Sequence, residues 1–216
     1  MLKTKDVPQE LRPLNKAFGE FGYKYDDAQL FDDLLTIIIC CYGWGTNEDL
    51  YFETIKRYEK ADLNIFAKML GELIMIYDRN NKNGSWCDPL GNFYEVLASR
   101  SKKSRLGQFF TPEPLCDLMA QLVMGEGWGS TINEPCSGSG RIVLAANHKA
   151  NGNYYVCQDL DPICVKMTAI NLCFHKIRGE VHCMDVLHME KPRFSYAINH
   201  QLWKNDVPHI IQIKPS

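Results

Sequence analysis

The stretch Asn133-Glu134-Pro135-Cys136-Ser137-Gly138-Ser139-Gly140 constrains this chain more than any other. It follows a short apolar run and opens a segment of helical character, giving the succession strand, glycine-rich turn, helix. Such a turn lets the backbone approach a ligand closely. The following helix start presents unpaired N–H groups. An α/β fold is the natural home for this arrangement, with ligands held beyond the carboxyl ends of the strands.

Downstream the pattern alternates. Strands are expected at Thr131 to Asn133, Tyr154 to Gln158, Glu180 to Cys183 and Phe194 to Ile198, with another at His209 to Ile213. Helices at Arg141 to His148 and Ile163 to Lys176 separate the first three. Strands alternating with helices imply a parallel, doubly wound sheet. The first 81 residues read as helical instead, with apolar residues at helical spacing in Pro8–Gly22, Gln29–Cys41, Leu50–Tyr58 and Asp62–Tyr77. These apolar runs are read as core. The expected division is a helical region over residues 1–105 and an α/β domain over 106–216. The run Ser99 to Arg105 is the most basic in the chain, and reads as a solvated linker or as a phosphate contact near the turn.

Composition excludes several classes. Hydrophobic residues make up 45% and charged residues 23%, the proportions of a globular protein. No apolar run approaches the ~18 residues that suggest a membrane span, and the N-terminus lacks the apolar core of a signal peptide. The nine cysteines include no CxxC pair, so reduced thiols and a cytoplasmic location are expected rather than disulfides or zinc. The histidines show no metal spacing with the cysteines. A formal charge of −2 makes any nucleic-acid contact a local matter.

Three expected strands end in acids: Glu134 after the first, Asp159 and Asp161 after the second, and Asp185 past the third. Acids so placed suit a ligand with an amine, a ribose diol and an exocyclic amino group. The turn lacks the lysine and spacing of a P-loop, and Glu134 would repel phosphate. It does not give G-x-G-x-x-G either. A cationic, phosphate-free nucleoside such as S-adenosylmethionine fits better, although each acid alone also reads as a helix cap.

Gly107 to Pro112 (GQFFTP), Glu134 to Gly140 (EPCSGSG), Asp159 to Pro162 (DLDP) and Asp185 resemble motifs X, I, II and III of the N6-adenine DNA methyltransferases, and most closely the modification subunits of type I restriction systems. Asp88-Pro89-Leu90-Gly91 resembles the segment those subunits carry ahead of GQFFTP. The resemblance implies an S-adenosylmethionine-dependent methyltransferase-like (Rossmann-like) sheet, incomplete at the C-terminus, behind a helical N-terminal region. It implies that Gln108, Phe109, Phe110 and Thr111 contact the methionine end of the cofactor. Glu134 and Cys136, Ser137, Gly138, Ser139 and Gly140 would hold its amino-acid part. Asp159 would take the ribose hydroxyls, Leu160 would lie against the adenine, and Asp185 would take the adenine amine. Double-stranded DNA and a specificity subunit are the implied partners. Arg141 stands where many relatives have a small residue, and reads as a helix-start residue or an extra ligand contact.

The family does its chemistry at (N/D)-P-P-(Y/F), on a base flipped out of the duplex. That motif is absent. In its place Phe194 to Trp203 reads FSYAINHQLW. Asn199 is the candidate catalytic residue, with His200 and Gln201 instead of prolines and Trp203 one position late. Three readings follow: a cofactor-binding homologue with weak or no activity, an enzyme with an altered pocket or a pocket completed by a partner, and a module that keeps the fold without the ligand.

Overall fold

The structure, a computed structural model, describes residues 7–100, 109–188 and 191–213. A 3-10 turn at Gln9–Leu11 leads into helices α1 (Arg12–Gly19), α2 (Asp27–Cys41), α3 (Glu48–Ile55), α4 (Lys60–Lys82) and α5 (Pro89–Arg100). After them come α6 (Glu113–Val123), β1 (Thr131–Glu134), α7 (Arg141–Lys149), β2 (Tyr154–Asp159), α8 (Pro162–Phe174) and β3 (Arg178–Cys183). The described chain ends with β4 (Phe194–Ile198), a short turn of helix α9 (Leu202–Asn205) and β5 (Ile210–Ile213).

Local chemistry sets the helix starts. Asp26 caps α2, its carboxylate accepting from the amides of Ala28 and Gln29. Glu59 and Asp62 form a reciprocal capping box at the head of α4. Asp161 accepts from Ile163 N at the head of α8, where Pro162 takes the first helical position. One hydrophobic cluster runs from Val7 through Phe31, Tyr77 and Phe93 to Tyr155, Ile170 and Ile210, so the helical region and the sheet share a core. The backbone joins them too, since Ile210 N donates to Tyr42 O.

The fold is α/β with a helical lead, as the sequence implies. The strands lie in the order β1-β2-β3-β4-β5. They are not all parallel. β1, β2 and β3 are parallel, whereas β4 runs antiparallel to β3 and β5 antiparallel to β4. Connection length explains the change. A parallel return needs a crossover of a dozen or more residues, usually a helix. α7 and α8 supply crossovers for the first two connections. Residues 184–193 hold no helix among the described residues, and the link from β4 to β5 carries only the four-residue α9.

The sheet is not doubly wound among the described residues either. Its two crossovers step in the same direction, and right-handed crossovers that do so lie on one face. Tyr155, Cys157, Val181, Cys183, Tyr196 and Ile198 are in register on that face, and all are buried. The other face carries Tyr154, Glu180 and His182, all half-buried. Tyr154 Oη donates to Glu180 Oε1 at 2.7 Å, and His182 Nδ1 lies 2.8 Å from Ser195 Oγ.

Gly179 marks the closest approach within the sheet. A Cβ there would lie 2.3 Å from the carbonyl oxygen of Tyr155, a backbone atom that cannot swing aside. Gly179→Ala is expected to lower the unfolding free energy by about 2 kcal/mol or more, measured by urea denaturation. The substitution Gly71→Ala within α4, exposed and with nothing near its Cβ, serves as the control and is expected to stabilise by about 0.5–1 kcal/mol instead.

Candidate functional site

The glycine turn sits where β1 ends and α7 begins. Gly138 and Gly140 take the left-handed backbone conformation, at φ values of 56° and 93°. A Cβ on Gly138 would meet the Phe110 ring at 2.9 Å, so the missing side chain lets the aromatic residue lie directly on the turn. The turn is held from three sides. Ser137 N donates to Gln158 O on β2. Thr168 Oγ1 on α8 donates to Gly138 O at 2.9 Å, and Asn171 Nδ2 donates to Ser139 O at 2.7 Å. Gly138 N donates to Asp159 Oδ2 at 2.9 Å.

A cleft of about 230 Å³ opens beside the turn, lined by Phe109, Phe110, Thr111, Cys136, Ser137, Gly138, Ser139, Arg141, Ile142 and Asp159. It brings together eight of the expected cofactor residues. Gly140 stands at the foot of α7 behind the turn, against Thr168. Glu134 lies at the end of β1, with Oε1 accepting from Cys136 N at 3.3 Å. Leu160 and Asp185 stand past β2 and β3, outside the lining. Asp185 Oδ2 lies 2.8 Å from His188 Nδ1, and its other oxygen accepts from Leu187 N and His188 N. Gln108 and residues 101–105 of the basic run lie outside the described residues, as do the side chains of Ser99, Arg100 and Trp203.

Burial raises the pKa values of Glu134 and Asp159 above the ordinary carboxylate range. Backbone N–H groups oppose that, from Cys136 on Glu134 and from Asp161 and Gly138 on Asp159. Asp185 is shifted downward, chiefly by its bond to His188.

Sequence reasoning did not find what stands behind the cleft. Asp88 is fully buried at the head of α5. Its Oδ1 accepts from Gly91 N and Asn171 Nδ2, both at 2.8 Å. Its Oδ2 accepts from Ser139 Oγ and Arg141 Nε, both at 2.6 Å. Arg141 continues the network, donating to Asn92 Oδ1 at 2.8 Å, to both oxygens of Glu95, and to Thr111 O at 3.4 Å. Its guanidinium also stands 5.3 Å from the centre of the Phe110 ring. Glu95 Oε1 accepts from Phe110 N as well. Arg141 thus clamps the turn, α5 and the Phe110–Thr111 segment to one another, while edging the cleft. Asp88-Pro89-Leu90-Gly91 was the visible signal. Gly91 is required there because a Cβ would lie 2.0 Å from the Asp88 carboxylate.

The structure does not bring Asn199 to the cleft. β4 is antiparallel to β3, with Ile198 opposite Gly179 and Phe194 opposite Cys183. Asn199 therefore follows β4 out at the end of the sheet where β1, β2 and β3 begin, while the cleft lies where they finish. Asn199 is fully buried with φ at 56°, a conformation asparagine tolerates. Its Nδ2 lies within 3.2 Å of the carbonyls of Leu172, Cys173 and Ile177, and its Oδ1 accepts from His209 N at 3.0 Å. The side chain closes the end of α8 and the turn after it. His200, at the position of a motif proline, bonds Tyr154 Oη at 2.9 Å.

No group of histidine, cysteine, aspartate and glutamate among the described residues is arranged to hold a metal ion. None of the described helices is long and apolar enough to cross a membrane.

Arg141→Met is expected to cost about 3–5 kcal/mol in urea or thermal unfolding, because Asp88 would remain buried without its cation. Asn199→Ala removes bonds to buried carbonyls and places alanine at positive φ. It is expected to cost about 1–3 kcal/mol.

Two comparisons bear on this geometry. A type I restriction-modification system methyltransferase subunit from Streptococcus thermophilus, solved by crystallography, is 24% identical to this chain, with a TM-score of 0.44. The match covers 83% of this chain and 40% of that one, so the chain spans well under half the length of that subunit. Residues 86–210, from Trp86 beside Asp88 to the first residue of β5, match the N-6 DNA Methylase family. They make up more than half of the sequence and include the cleft and the clamp behind it, and the chain belongs to that family.

Proposed function

We propose that the chain is an S-adenosylmethionine-binding, N6-adenine type DNA methyltransferase homologue whose described fold presents the cofactor cleft without the catalytic pocket. The observation that carries this reading is the junction of Phe110, the glycine turn and Asp159 around one cleft, set against an Asn199 buried at the other end of the sheet.

The residues present fit the cofactor. The cleft has the Phe109 ring free at its mouth, 93% exposed, and Phe110 packed within. The Asp159 carboxylate accepts from Gly138 N on Oδ2 and Asp161 N on Oδ1, with Leu160 N bonding it as well, and two oxygens leave room for a hydroxyl beside these. Glu134 and Asp159 face a ligand whose ammonium and sulfonium are both positive, so both carboxylates favour it when ionised. When bound, S-adenosylmethionine supplies an electrophilic methyl group. Ser137, Gly138 and Ser139 orient the amino-acid part, Asp159 fixes the ribose, and the aromatic pair excludes water. Leu160, 60% exposed past β2, is free to lie against the adenine. Asp185 can take the adenine amine once its bond to His188 is exchanged. Double-stranded DNA and a specificity subunit are the partners this reading implies, in a cytoplasmic setting. Residues 1–105 serve as the helical lead and 106–216 as the methyltransferase-like unit.

A second reading, a module that keeps the fold without the ligand, is favoured by one observation: Asp185 has both oxygens occupied by its own turn. Calorimetric titration with S-adenosylmethionine separates the two. Micromolar binding is expected, weakened at least tenfold in Asp159→Ala, and the module reading is upheld if millimolar ligand leaves no heat. Affinity is expected to fall as the pH drops through the raised pKa values of Glu134 and Asp159, because protonation removes the charges that favour the cation. Binding by Asn199→Ala is expected to match that of the unsubstituted chain. No methyl transfer to adenine-containing duplex is expected from either protein, and transfer lost in Asn199→Ala would restore Asn199 as catalytic.

A further inference from the structure

Thr168 sits in the middle of α8 with no solvent exposure. A threonine inside a helix commonly turns its hydroxyl back to the carbonyl four residues earlier. Thr36 in α2 and Thr54 in α3 do so, with Asp32 O and Leu50 O. Thr168 spends its hydroxyl on the glycine turn instead. Its Oγ1 donates to Gly138 O at 2.9 Å and lies 3.2 Å from Ser137 Oγ. Its methyl carbon stands 3.4 Å from where a Cβ on Gly140 would be.

That bond fixes the direction of one peptide. The described peptide bonds are trans, so a carbonyl and the N–H that follows it point opposite ways. With Gly138 O drawn to α8, the N–H of Ser139 points away from α8. The cleft lies on that side, since its lining includes Ser139 and no residue of α8. No acceptor among the described residues takes this N–H, whereas those of Ser137, Gly138 and Gly140 go to Gln158 O, Asp159 Oδ2 and Ser137 O. A turn closed by Gly140 N on Ser137 O can also form with its middle peptide turned over, which would put the Gly138 carbonyl in the cleft. Gly138 tolerates either form. Ser139 would have to take positive φ, which it does not have here. That penalty is of the same size as the cost of a buried carbonyl left without a donor. Backbone preference alone decides weakly between the two forms, and the Thr168 hydroxyl decides for one.

We propose that Thr168 is a positioning residue for the cleft: its hydroxyl locks the Gly138–Ser139 peptide so that the Ser139 N–H faces the ligand and donates to the carboxylate of its amino-acid part. This deepens the reading of the cleft as a cofactor site and rests on it. A carboxylate is the matching group because α7 starts two residues further on, and a helix start favours negative charge beside its free N–H groups. The turned-over peptide would set a carbonyl oxygen against that carboxylate. Loss of the lock therefore falls on ligands that carry a carboxylate and spares those that do not.

The test is calorimetric titration with two ligands, S-adenosylmethionine and its decarboxylated form, which keeps the sulfonium, the amine and the nucleoside. The unsubstituted chain is expected to bind S-adenosylmethionine about tenfold or more tightly than the decarboxylated form. Thr168→Val keeps the side-chain shape and removes the hydroxyl. It is expected to weaken S-adenosylmethionine by about tenfold and to leave the decarboxylated form within about twofold of its original affinity. Thr168→Ser keeps the hydroxyl and is expected to restore most of the affinity for S-adenosylmethionine. Equal binding of the two ligands by the unsubstituted chain overturns the proposal. So do equal losses on both ligands in Thr168→Val, which would make Thr168 a general support of the turn, and so does no loss on either. Binding of neither ligand by the unsubstituted chain would instead sink the cofactor reading, and the proposal with it.

Discussion

The ion pair between Asp88 and Arg141 is the contact on which the rest depends. A carboxylate with no solvent exposure is tolerable only when every lone pair is spoken for, and Asp88 has four donors on its two oxygens. Those donors come from the start of α5, the glycine turn, the start of α7 and the last turn of α8. Tyr77 on α4 joins through Asn171 Oδ1. A helix lead and a sheet unit that also meet through apolar contacts and through bonds such as Lys166 to Asp32 and Ile210 N to Tyr42 O are thereby given a single register. Such networks are costly if half satisfied, and this one leaves neither Asp88 oxygen without a donor.

The clamp also explains why the cleft can carry acids. Glu134 and Asp159 are partly desolvated, and burial alone would push both toward the neutral form. Backbone N–H groups from the turn oppose that push. The positive charge of Arg141 is largely committed to Asp88 and Glu95 rather than offered to the cleft. What remains is a concave surface with Asp159 in its lining and Glu134 at the end of β1, and no P-loop lysine.

The cleft was legible in the sequence because its parts are local. EPCSGSG carries its own turn chemistry, and acids after strands announce their own position. The clamp was less legible. Asp88 and Arg141 lie far apart along the chain, and an arginine at a helix start reads equally as a ligand contact until its partners are known. Strand direction was hidden for a different reason. FSYAI has the same composition in a parallel or an antiparallel place, and the length of the 184–193 connection was the one clue to its direction. With β4 reversed, Asn199 leaves the cleft and becomes a closing piece for α8. The asparagine that matched a motif by spacing is used by the fold for its tolerance of positive φ and its two-sided amide.

The Asp88 knot has a kinetic side as well. Its members lie at residues 77, 88, 139, 141 and 171, so it forms only after long stretches of chain have been brought together. Contacts of that kind are late and slow in folding. The glycine turn is held by groups from α8 and β2 and cannot settle in its left-handed form while those are unplaced. A chain that has only collapsed would therefore have helices and strands without a cleft. A ligand that selected the finished turn would act on this protein as a folding aid.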